Sequence, residues 1–264
     1  MKARMLLDGG SPKVPPSKLR EIIRSARLEV TEGKADFGVV VGGDGRFSWY
    51  GRSEDIPLLF VGMRAEGATG SKAHLARVSF DELQEALRRI RRGEYSVEEQ
   101  KRLAVLKNSR PLGEVFTDVY LQRGSESTCI RYNVQVSGKA PAIDEAAIGD
   151  GVVVSTAAGA SGYYSYPDRI KGEWMDPDAF ARIGEGRVGV CHLSPTFTER
   201  TGSREHPLRY TVPWGSRIDI SLFRKADARL YGVSNSRGGV PVALEDVVTV
   251  GPGKKTTKIV SLNP

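Results

Sequence analysis

The sequence predicts an α/β domain followed by an all-β domain, and three observations support this prediction. In roughly the first hundred residues, short apolar runs alternate with helical stripes and glycine-rich loops, which is typical of parallel βαβ units. Farther along, short strands separated by turn residues follow one another, and helical periodicity is nearly absent. A chain of 264 residues is long enough for one large domain or two smaller ones.

The chain begins with a short strand, a loop and a helix. Residues 4–7 are apolar enough for a first strand, and Asp8–Pro12 predicts a loop. Ser17 follows two prolines and is a candidate helix N-cap. An apolar stripe with helical spacing then predicts a helix that faces the core. The stripe consists of Leu19, Ile22, Ile23 and Ala26.

The next element is the stretch around which the chain is organised. Phe37–Val41 is a short, largely β-branched apolar run, which predicts a buried strand, and it leads directly into Gly42-Gly43-Asp44-Gly45. Glycines at the carboxyl end of a strand leave room for a ligand, and backbone N–H groups in such a turn suit phosphate. The single carboxylate can hold a cation or accept a proton from an attacking hydroxyl. Taken alone, the stretch is equally compatible with a tight turn that carries an exposed acid.

Another strand and another helix complete the first half. Pro57–Val61 predicts a buried strand, and Gly62–Gly70 a glycine-punctuated loop. Asp81 is the expected N-cap of the second helix, and Gly93 its stop. The core-facing stripe of this helix consists of Leu83, Ala86, Leu87 and Ile90.

The second half predicts a β-sandwich or a similar layered sheet. Several of its strands alternate apolar with polar residues, and one short helix is expected at Asp176–Ile183. The expected strands are Val115–Leu121, Ile130–Val136, Val152–Ser155, Val188–Val190, Ile218–Leu222 and Val247–Val250.

The charge balance favours anionic partners. Lys and Arg number 39 against 32 Asp and Glu, a net charge of +7, and the pI is about 9.4. The densest basic cluster, Arg88–Arg92, lies on the second predicted helix and is interpreted as a solvated face. Because no stripe combines basic and aromatic residues, we expect no nucleic acid partner. No long apolar run and no signal peptide is present, so we expect no membrane association and no export.

The cysteines and histidines predict neither a disulfide framework nor a metal site. Cys129 and Cys191 form no CxxC motif, which fits a reducing cytoplasm. His74, His192 and His206 show no metal-ligand spacing with one another or with the cysteines. We therefore predict no structural metal and a cytoplasmic location.

A second glycine-rich stretch adds a resemblance to a known family. Asp150–Tyr163 also runs from a β-branched strand into small residues. Together with Gly42–Gly45, it resembles the NAD kinase family, whose pattern is GGDG followed later by DG-xxx-ST-xx-G-xx-xY. Gly93–Leu103 is similar to the family's link between its two domains. The resemblance implies a Rossmann-like α/β domain at 1–100, with about 252–264 returning to it through Lys258–Leu262, and an all-β domain at 101–251.

The resemblance implies phosphoryl transfer from ATP or polyphosphate to the 2′-hydroxyl of the adenosine ribose of NAD. Asp44 would be the base that takes or orients the hydroxyl proton, and Mg²⁺ or another divalent cation would accompany the phosphates. Gly42, Gly43 and Gly45 would let phosphate approach the backbone. Arg46 stands where the family usually has Thr or Ser; a charge-assisted phosphate contact and a solvated side chain are equally open.

The resemblance also implies an NAD site. Glu114 matches the glutamate of an Asn-Glu pair that grips ribose hydroxyls, and Asp150 matches the acid at the nicotinamide end. For Tyr163, stacking beside the ligand is favoured over plain packing. The remaining matches to the motif, where small residues admit the ligand, are Ser155, Gly159, Ser161 and Gly162.

Three departures bear on the acceptor. Gly113 replaces the asparagine of the pair, Ser165–Arg169 replaces a Ser-x-x-Gly-Gly segment, and Tyr231-Gly232 stands where Asp-Gly is usual. A site that loses a hydrogen-bonding partner loses discrimination. Three hypotheses follow: a divergent, archaeal-like NAD kinase, a related kinase with another hydroxyl acceptor, or a non-catalytic nucleotide-binding protein. The family resemblance also implies a homodimer or homotetramer.

Overall fold

The computed structural model describes residues 1–7, 14–63, 73–170, 182–234 and 238–262. The predicted loop at Asp8–Pro12 lies outside these residues, as do all but the first two residues of the loop at Gly62–Gly70. The predicted helix at Asp176–Ile183 also lies outside them, except for its last two residues. The chain divides into two compact units, Met1–Gln100 with Thr256–Pro264, and Lys101–Lys255.

Unit 1 contains a parallel sheet. Its strands pair in the order β2, β1, β3, β4, β5. They are β1 Lys2–Leu6, β2 Glu29–Val30, β3 Phe37–Gly42, β4 Leu58–Gly62 and β5 Val78–Ser79. The end of the chain adds to β4, where Ile259 pairs in parallel with Leu58. Every residue of β3 and β4 is buried, as expected for a parallel sheet covered on both faces.

Three described helices belong to unit 1: α1 Pro16–Ser25, α2 Asp44–Ser53 and α3 Leu83–Arg91. Both predicted N-caps are wrong. Helix α1 begins one residue before Ser17, because Pro16 can occupy the first turn, where its missing N–H costs nothing. Helix α3 begins two residues after Asp81; Glu82 instead accepts hydrogen bonds from the backbone and hydroxyl of Ser79.

Unit 2 consists of two antiparallel sheets. One pairs its strands in the order β13, β10, β9, β15, β18, and the other in the order β14, β12, β11, β8, β16, β17. Buried aliphatic residues and Tyr132 form the core. The strands are β6 Tyr95–Lys107, β7 Arg110–Val115, β8 Asp118–Arg123, β9 Ile130–Ser137, β10 Ile143–Gly149, β11 Gly151–Ser155, β12 Arg187–Leu193, β13 Phe197–Arg200, β14 Arg209–Pro213, β15 Arg217–Leu222, β16 Ala228–Tyr231, β17 Val240–Val242 and β18 Val247–Leu262.

The predicted fold class, an α/β domain with a β-sandwich, is confirmed. Two strands, β6 and β18, contribute residues to both units. The single strand predicted at Val115–Leu121 is wrong, since β7 ends at Val115 and β8 begins at Asp118. Among the described residues, no helix combines the length and the apolar character that crossing a bilayer requires.

Candidate active site

The GGDG stretch forms a strand, a turn and the start of a helix. Strand β3 ends at Gly42, Gly43 has extended backbone angles, and α2 begins at Asp44. The stacked rings of Phe47 and Phe60, with centroids 4.7 Å apart, hold α2 against β4. Asp44 therefore lies in the first turn of a helix, where the helix dipole favours a negative charge.

The carboxylate of Asp44 is held by the backbone. Its Oδ1 accepts a hydrogen bond from the backbone N–H of Leu75 at 2.9 Å, and the residue keeps partial exposure to solvent. This bond fixes the orientation of the carboxylate at the carboxyl edge of the parallel sheet. An oriented and accessible carboxylate can accept a proton from a hydroxyl group.

Gly42 and Gly45, on either side of the turn, differ in how much space surrounds them. A Cβ on Gly45 would meet no atom within 4 Å, so packing does not demand glycine there. A Cβ on Gly42 would lie 2.9 Å from Cδ of Arg46. The guanidinium of Arg46 donates to the carbonyl of Val41 at 2.8 Å, which anchors a positive charge at the end of β3.

A cavity of about 280 Å³ lies at the carboxyl end of β4. Strands β3 and β4 are in register here, since Gly42 pairs with Gly62, and the backbone N–H of Met63 donates to the carbonyl of Gly42. The cavity and the GGDG turn thus share one sheet edge. The described lining residues are Gly62, Met63, Ala73, Ala76, Arg77, Val78, Ser79 and Glu82.

In unit 2, the end of β11 leads into two single 3₁₀ turns, Ala157–Gly159 and Tyr163–Ser165. The hydroxyl of Ser155 donates to the carbonyl of Thr156 at 3.0 Å. A Cβ on Gly159 would lie 2.5 Å from that hydroxyl, so packing alone requires glycine at this position.

Tyr163 belongs to a group of three aromatic rings. Its side chain is 47% exposed, and its ring centroid lies 4.7 Å from that of Tyr120. Tyr120 in turn stacks on Tyr231 with centroids 5.3 Å apart and an angle of 19°. Tyr120 and Tyr231 are half-buried and support the exposed ring of Tyr163, and such a group of rings forms a surface on which a planar ring can stack. Tyr231, a departure from the family pattern, is therefore part of this aromatic surface.

Asp118, which sequence reasoning missed, lies beside the same segment. It is the first residue of β8, pairs in register with Ser155, and its Oδ2 lies 3.1 Å from where a Cβ of Gly162 would be. Although the residue as a whole is partly exposed, burial of its carboxyl raises the pKa of Asp118 to about 7. The sequence feature that could have indicated Asp118 is its position, as an acid directly before the alternating run Val119–Leu121.

Glu114 has a different environment. Its two carboxylate oxygens accept hydrogen bonds from the backbone N–H groups of Lys254 and Lys255, at 2.8 and 3.0 Å. These bonds tie β7 to the middle of β18. Among the described contacts, the structure thus associates Asp118, and not Glu114, with the Gly162–Tyr163 segment.

The Asp150-Gly151 turn is rigidly built. Oδ1 of Asp150 pairs with Nε of Arg123 at 2.7 Å. Gly151 has φ +149°, and a Cβ there would clash with the carbonyl oxygen of Leu121. A side chain at 151 would therefore displace β8, so glycine must follow the acid.

The Ser165–Arg169 segment, another departure, closes back on the 3₁₀ turns. Arg169 donates to the hydroxyl of Ser165 at 2.8 Å and to the carbonyl of Ser161 at 2.7 Å. Asp168 is buried and forms a two-pronged ion pair with Arg209, at 2.7 and 2.8 Å. The Ser165–Arg169 segment thus holds the backbone of Ser161 in place.

Buried polar groups elsewhere in unit 2 serve packing. The imidazole of His192 lies between the hydroxyl of Tyr132, at 2.8 Å, and the carboxylate of Glu145, at 3.4 Å. Within the described ranges, no three His, Cys, Asp or Glu side chains cluster closely enough to hold a metal ion.

The chain is similar in sequence to known proteins, although no family model matches it. The chain is 30% identical to the NAD kinase of Magnetococcus marinus over 88% of its own length and 70% of the relative's. It is 31% identical to the NAD kinase of Geobacter sp., over 92% of its own length and 79% of the relative's.

Solved structures show the same fold. Yeast NADH kinase complexed with NADH superimposes on the whole chain with a TM-score of 0.71 at 13% identity, over 83% of the yeast chain. The NAD kinase from Archaeoglobus fulgidus in complex with ATP does so with a TM-score of 0.66 at 18% identity, over 94% of that chain. The identity to the curated relatives, over most of both chains, confirms the resemblance seen in the sequence: the chain belongs to the NAD kinase family.

Proposed function

We propose that this protein transfers a phosphoryl group from ATP, or from inorganic polyphosphate, to the 2′-hydroxyl of NAD and so produces NADP. The observation that supports the proposal most directly is the oriented carboxylate of Asp44 at the start of α2. Relatives named NAD kinase and solved kinases that bind ATP and NADH support the same donor and acceptor classes.

In this proposal Asp44 accepts the proton of the attacking hydroxyl. Phosphoryl transfer proceeds through a loose transition state, so positioning of the nucleophile and neutralisation of charge supply most of the catalysis. The hydrogen bond from Leu75 holds the carboxylate in one orientation before the substrate arrives. That preorganisation reduces the reorganisation needed at the moment of reaction.

Gly42, Gly43 and Gly45 let phosphate oxygens approach the backbone. The open space at Gly45 supports this role, because no neighbouring atom explains the missing side chain. Arg46, anchored on Val41, supplies a positive charge at the same end of β3.

The divalent cation is proposed to arrive with the phosphates. Mg²⁺ in kinases is bound by one or two carboxylates together with substrate oxygens. Asp44 provides one carboxylate of the right kind beside the glycine turn, which fits this pattern. The cation neutralises phosphate charge when bound, while the side chains of the chain position the hydroxyl.

The NAD contacts are proposed for the aromatic and glycine-rich part of unit 2. Tyr163 stacks beside the ligand. The other proposed contacts are Glu114, Asp150, Ser155, Gly159, Ser161 and Gly162. To these we add Asp118, because its carboxyl lies next to Gly162 and has a pKa near the working range of pH. An acid in that place can accept hydrogen bonds from ribose hydroxyls.

The test is direct formation of NADP. Purified protein is incubated with NAD, Mg²⁺ and either ATP or polyphosphate, and NADP is read with an NADP-specific dehydrogenase. We expect NADP to form with at least one donor. A folded protein that makes no NADP with either donor, but consumes ATP with another hydroxyl compound, contradicts the proposal.

The cellular setting is part of the proposal as well. Both Cys129, which is exposed, and Cys191, which is buried, are free, and free thiols support a reducing, cytoplasmic location.

A homodimer or homotetramer is proposed from the family resemblance, and sedimentation of the purified protein tests it.

A further inference from the structure

A second cavity, in unit 2, does not involve the residues proposed for NAD. Its volume is about 470 Å³. One wall is the loop between β8 and β9, another is the start of β9 with the end of β10, and the third is the loop after β15. We call it the basic pocket, and its lining residues are Glu126, Thr128, Cys129, Arg131, Ile148, Arg224, Lys225 and Ala226.

Three cations in the basic pocket lack neutralising partners. Within the described part of the chain, the side chains of Arg131, Arg224 and Lys225 form no hydrogen bond or ion pair, and all three residues are exposed. Five other arginines of the same unit are paired with carboxylates: Arg123 with Asp150, Arg200 with Glu145, Arg209 with Asp168, Arg217 with Asp219 and Arg229 with Asp227. The pocket therefore brings together three cations that no carboxylate of the described residues pairs with.

Hydrogen bonds fix the walls of the pocket without using the charged side chains of these three residues. Asp227 accepts from the backbone N–H and the hydroxyl of Ser125, at 2.7 and 3.0 Å. Arg123 donates to the carbonyl of Ser127 at 2.9 Å. On the other side, Arg131 pairs in register with Ile148, and its carbonyl accepts from the backbone N–H of Phe223. The pocket is preformed, so a ligand does not need to order the loop.

The charge and the size define the ligand class. With Glu126 counted against the three cations, the lining carries a net charge of 3 − 1 = +2. Guanidinium groups bind phosphate and carboxylate oxygens in pairs, and the hydroxyl of Thr128 adds a donor. A volume of this size suits a small metabolite. We propose that the basic pocket binds a small polyanion of the diphosphate type.

Cys129 makes the proposal measurable. It lines the pocket and is exposed, whereas Cys191 is fully buried, and burial raises the pKa of the Cys191 thiol to about 12. A thiol reagent therefore modifies Cys129 selectively in the folded protein. A dianionic aromatic disulfide also senses the positive potential of the pocket, and an uncharged pyridyl disulfide does not.

The experiment compares the rates of the two reagents in the presence and absence of pyrophosphate, at constant ionic strength. We expect pyrophosphate to slow the dianionic reagent about fivefold or more, because it neutralises the cations beside the thiol. In the double variant Arg224→Gln, Lys225→Gln, we expect this protection to disappear and the uncharged reagent to react at the wild-type rate. Lys139→Gln, an exposed site beyond the opposite end of β9, serves as the matched control and keeps the protection.

Two results would overturn the proposal. One is that pyrophosphate fails to protect Cys129 in the wild-type protein. The other is that it protects the double variant as well as the wild type. Because the assay contains neither NAD nor ATP, its outcome is independent of whether the protein makes NADP.

Discussion

The backbone N–H of Leu75 donates a 2.9 Å hydrogen bond to Oδ1 of Asp44, 31 positions earlier in the chain. A backbone donor cannot be lost by side-chain replacement, so the orientation of residue 44 persists when its charge is removed. Asparagine retains an oxygen that can accept the same hydrogen bond. This makes Asp44→Asn a test of charge at nearly constant geometry.

We expect Asp44→Asn to lower kcat for NADP formation by about 100- to 10,000-fold, the usual contribution of a general base. The KM for NAD and the melting temperature should change little. Steady-state kinetics and a thermal melt measure the three quantities. Asp81→Asn, at an exposed acid just before α3, is the matched control and should behave as wild type. Full activity of Asp44→Asn would remove Asp44 from the mechanism.

The two acids Glu114 and Asp118 should separate in their effects. Asp118 adjoins the Gly162–Tyr163 segment, so Asp118→Asn should raise the KM for NAD. Glu114 binds two backbone N–H groups of β18, so Glu114→Gln should destabilise the protein by about 1 kcal/mol in addition to raising the KM for NAD. Kinetics and denaturant unfolding on both variants distinguish them. An unchanged KM for NAD in Glu114→Gln would remove Glu114 from the proposed NAD contacts.

Local pattern predicted the strands of this fold well. The β-branched runs Phe37–Val41, Ile130–Val136 and Ile218–Leu222 all lie within observed strands, since burial and alternation are properties of the segment itself. The helix starts were predicted less well. At Ser17, the conformational restriction of a neighbouring proline overrode the capping preference of a hydroxyl side chain.

The candidate site was only partly predictable, for a similar reason. The strand-to-turn pattern around Asp44 is local, and the sequence alone indicated it. Asp118 acquires its place through pairing with Ser155 and through contact with Gly162, both distant in the chain. Register between distant strands is set by the whole sheet and not by the segment. Single-sequence reasoning therefore did not find Asp118.

The raised pKa of Asp118 predicts a pH dependence of stability. Its folded-state pKa of about 7 lies above the ordinary value of 3.8, because burial disfavours the charged form. Between these pH values the folded protein holds a proton that the unfolded chain releases. This group's contribution to the free energy of unfolding is therefore fully present below about pH 3.8 and is lost as the pH rises toward 7.

Asp118→Asn should remove this part of the pH dependence. We expect the variant to gain stability relative to wild type as the pH rises from about 4 to about 7. Urea unfolding at several pH values measures the difference. A constant difference between Asp118→Asn and wild type across this range would show that Asp118 does not titrate there.

Gly45 and Gly159 differ in whether packing requires glycine at their positions. A Cβ on Gly45 meets no atom within 4 Å, and the residue lies in the first turn of α2. Alanine there should leave stability unchanged or raise it by up to about 1 kcal/mol, since it favours the helix. If phosphate approaches this backbone, Gly45→Ala should nevertheless raise the KM for ATP.

Gly159→Ala should have the opposite effect on stability. Its added Cβ would lie 2.5 Å from both the hydroxyl of Ser155 and the carbonyl of Thr117, so the variant should lose about 1 to 3 kcal/mol of stability. Thermal melts and ATP kinetics on the two variants check the contrast. A Gly45→Ala protein that is stable and has an unchanged KM for ATP would show that phosphate does not approach this position, and the donor site would then have to be sought elsewhere along the edge of the parallel sheet.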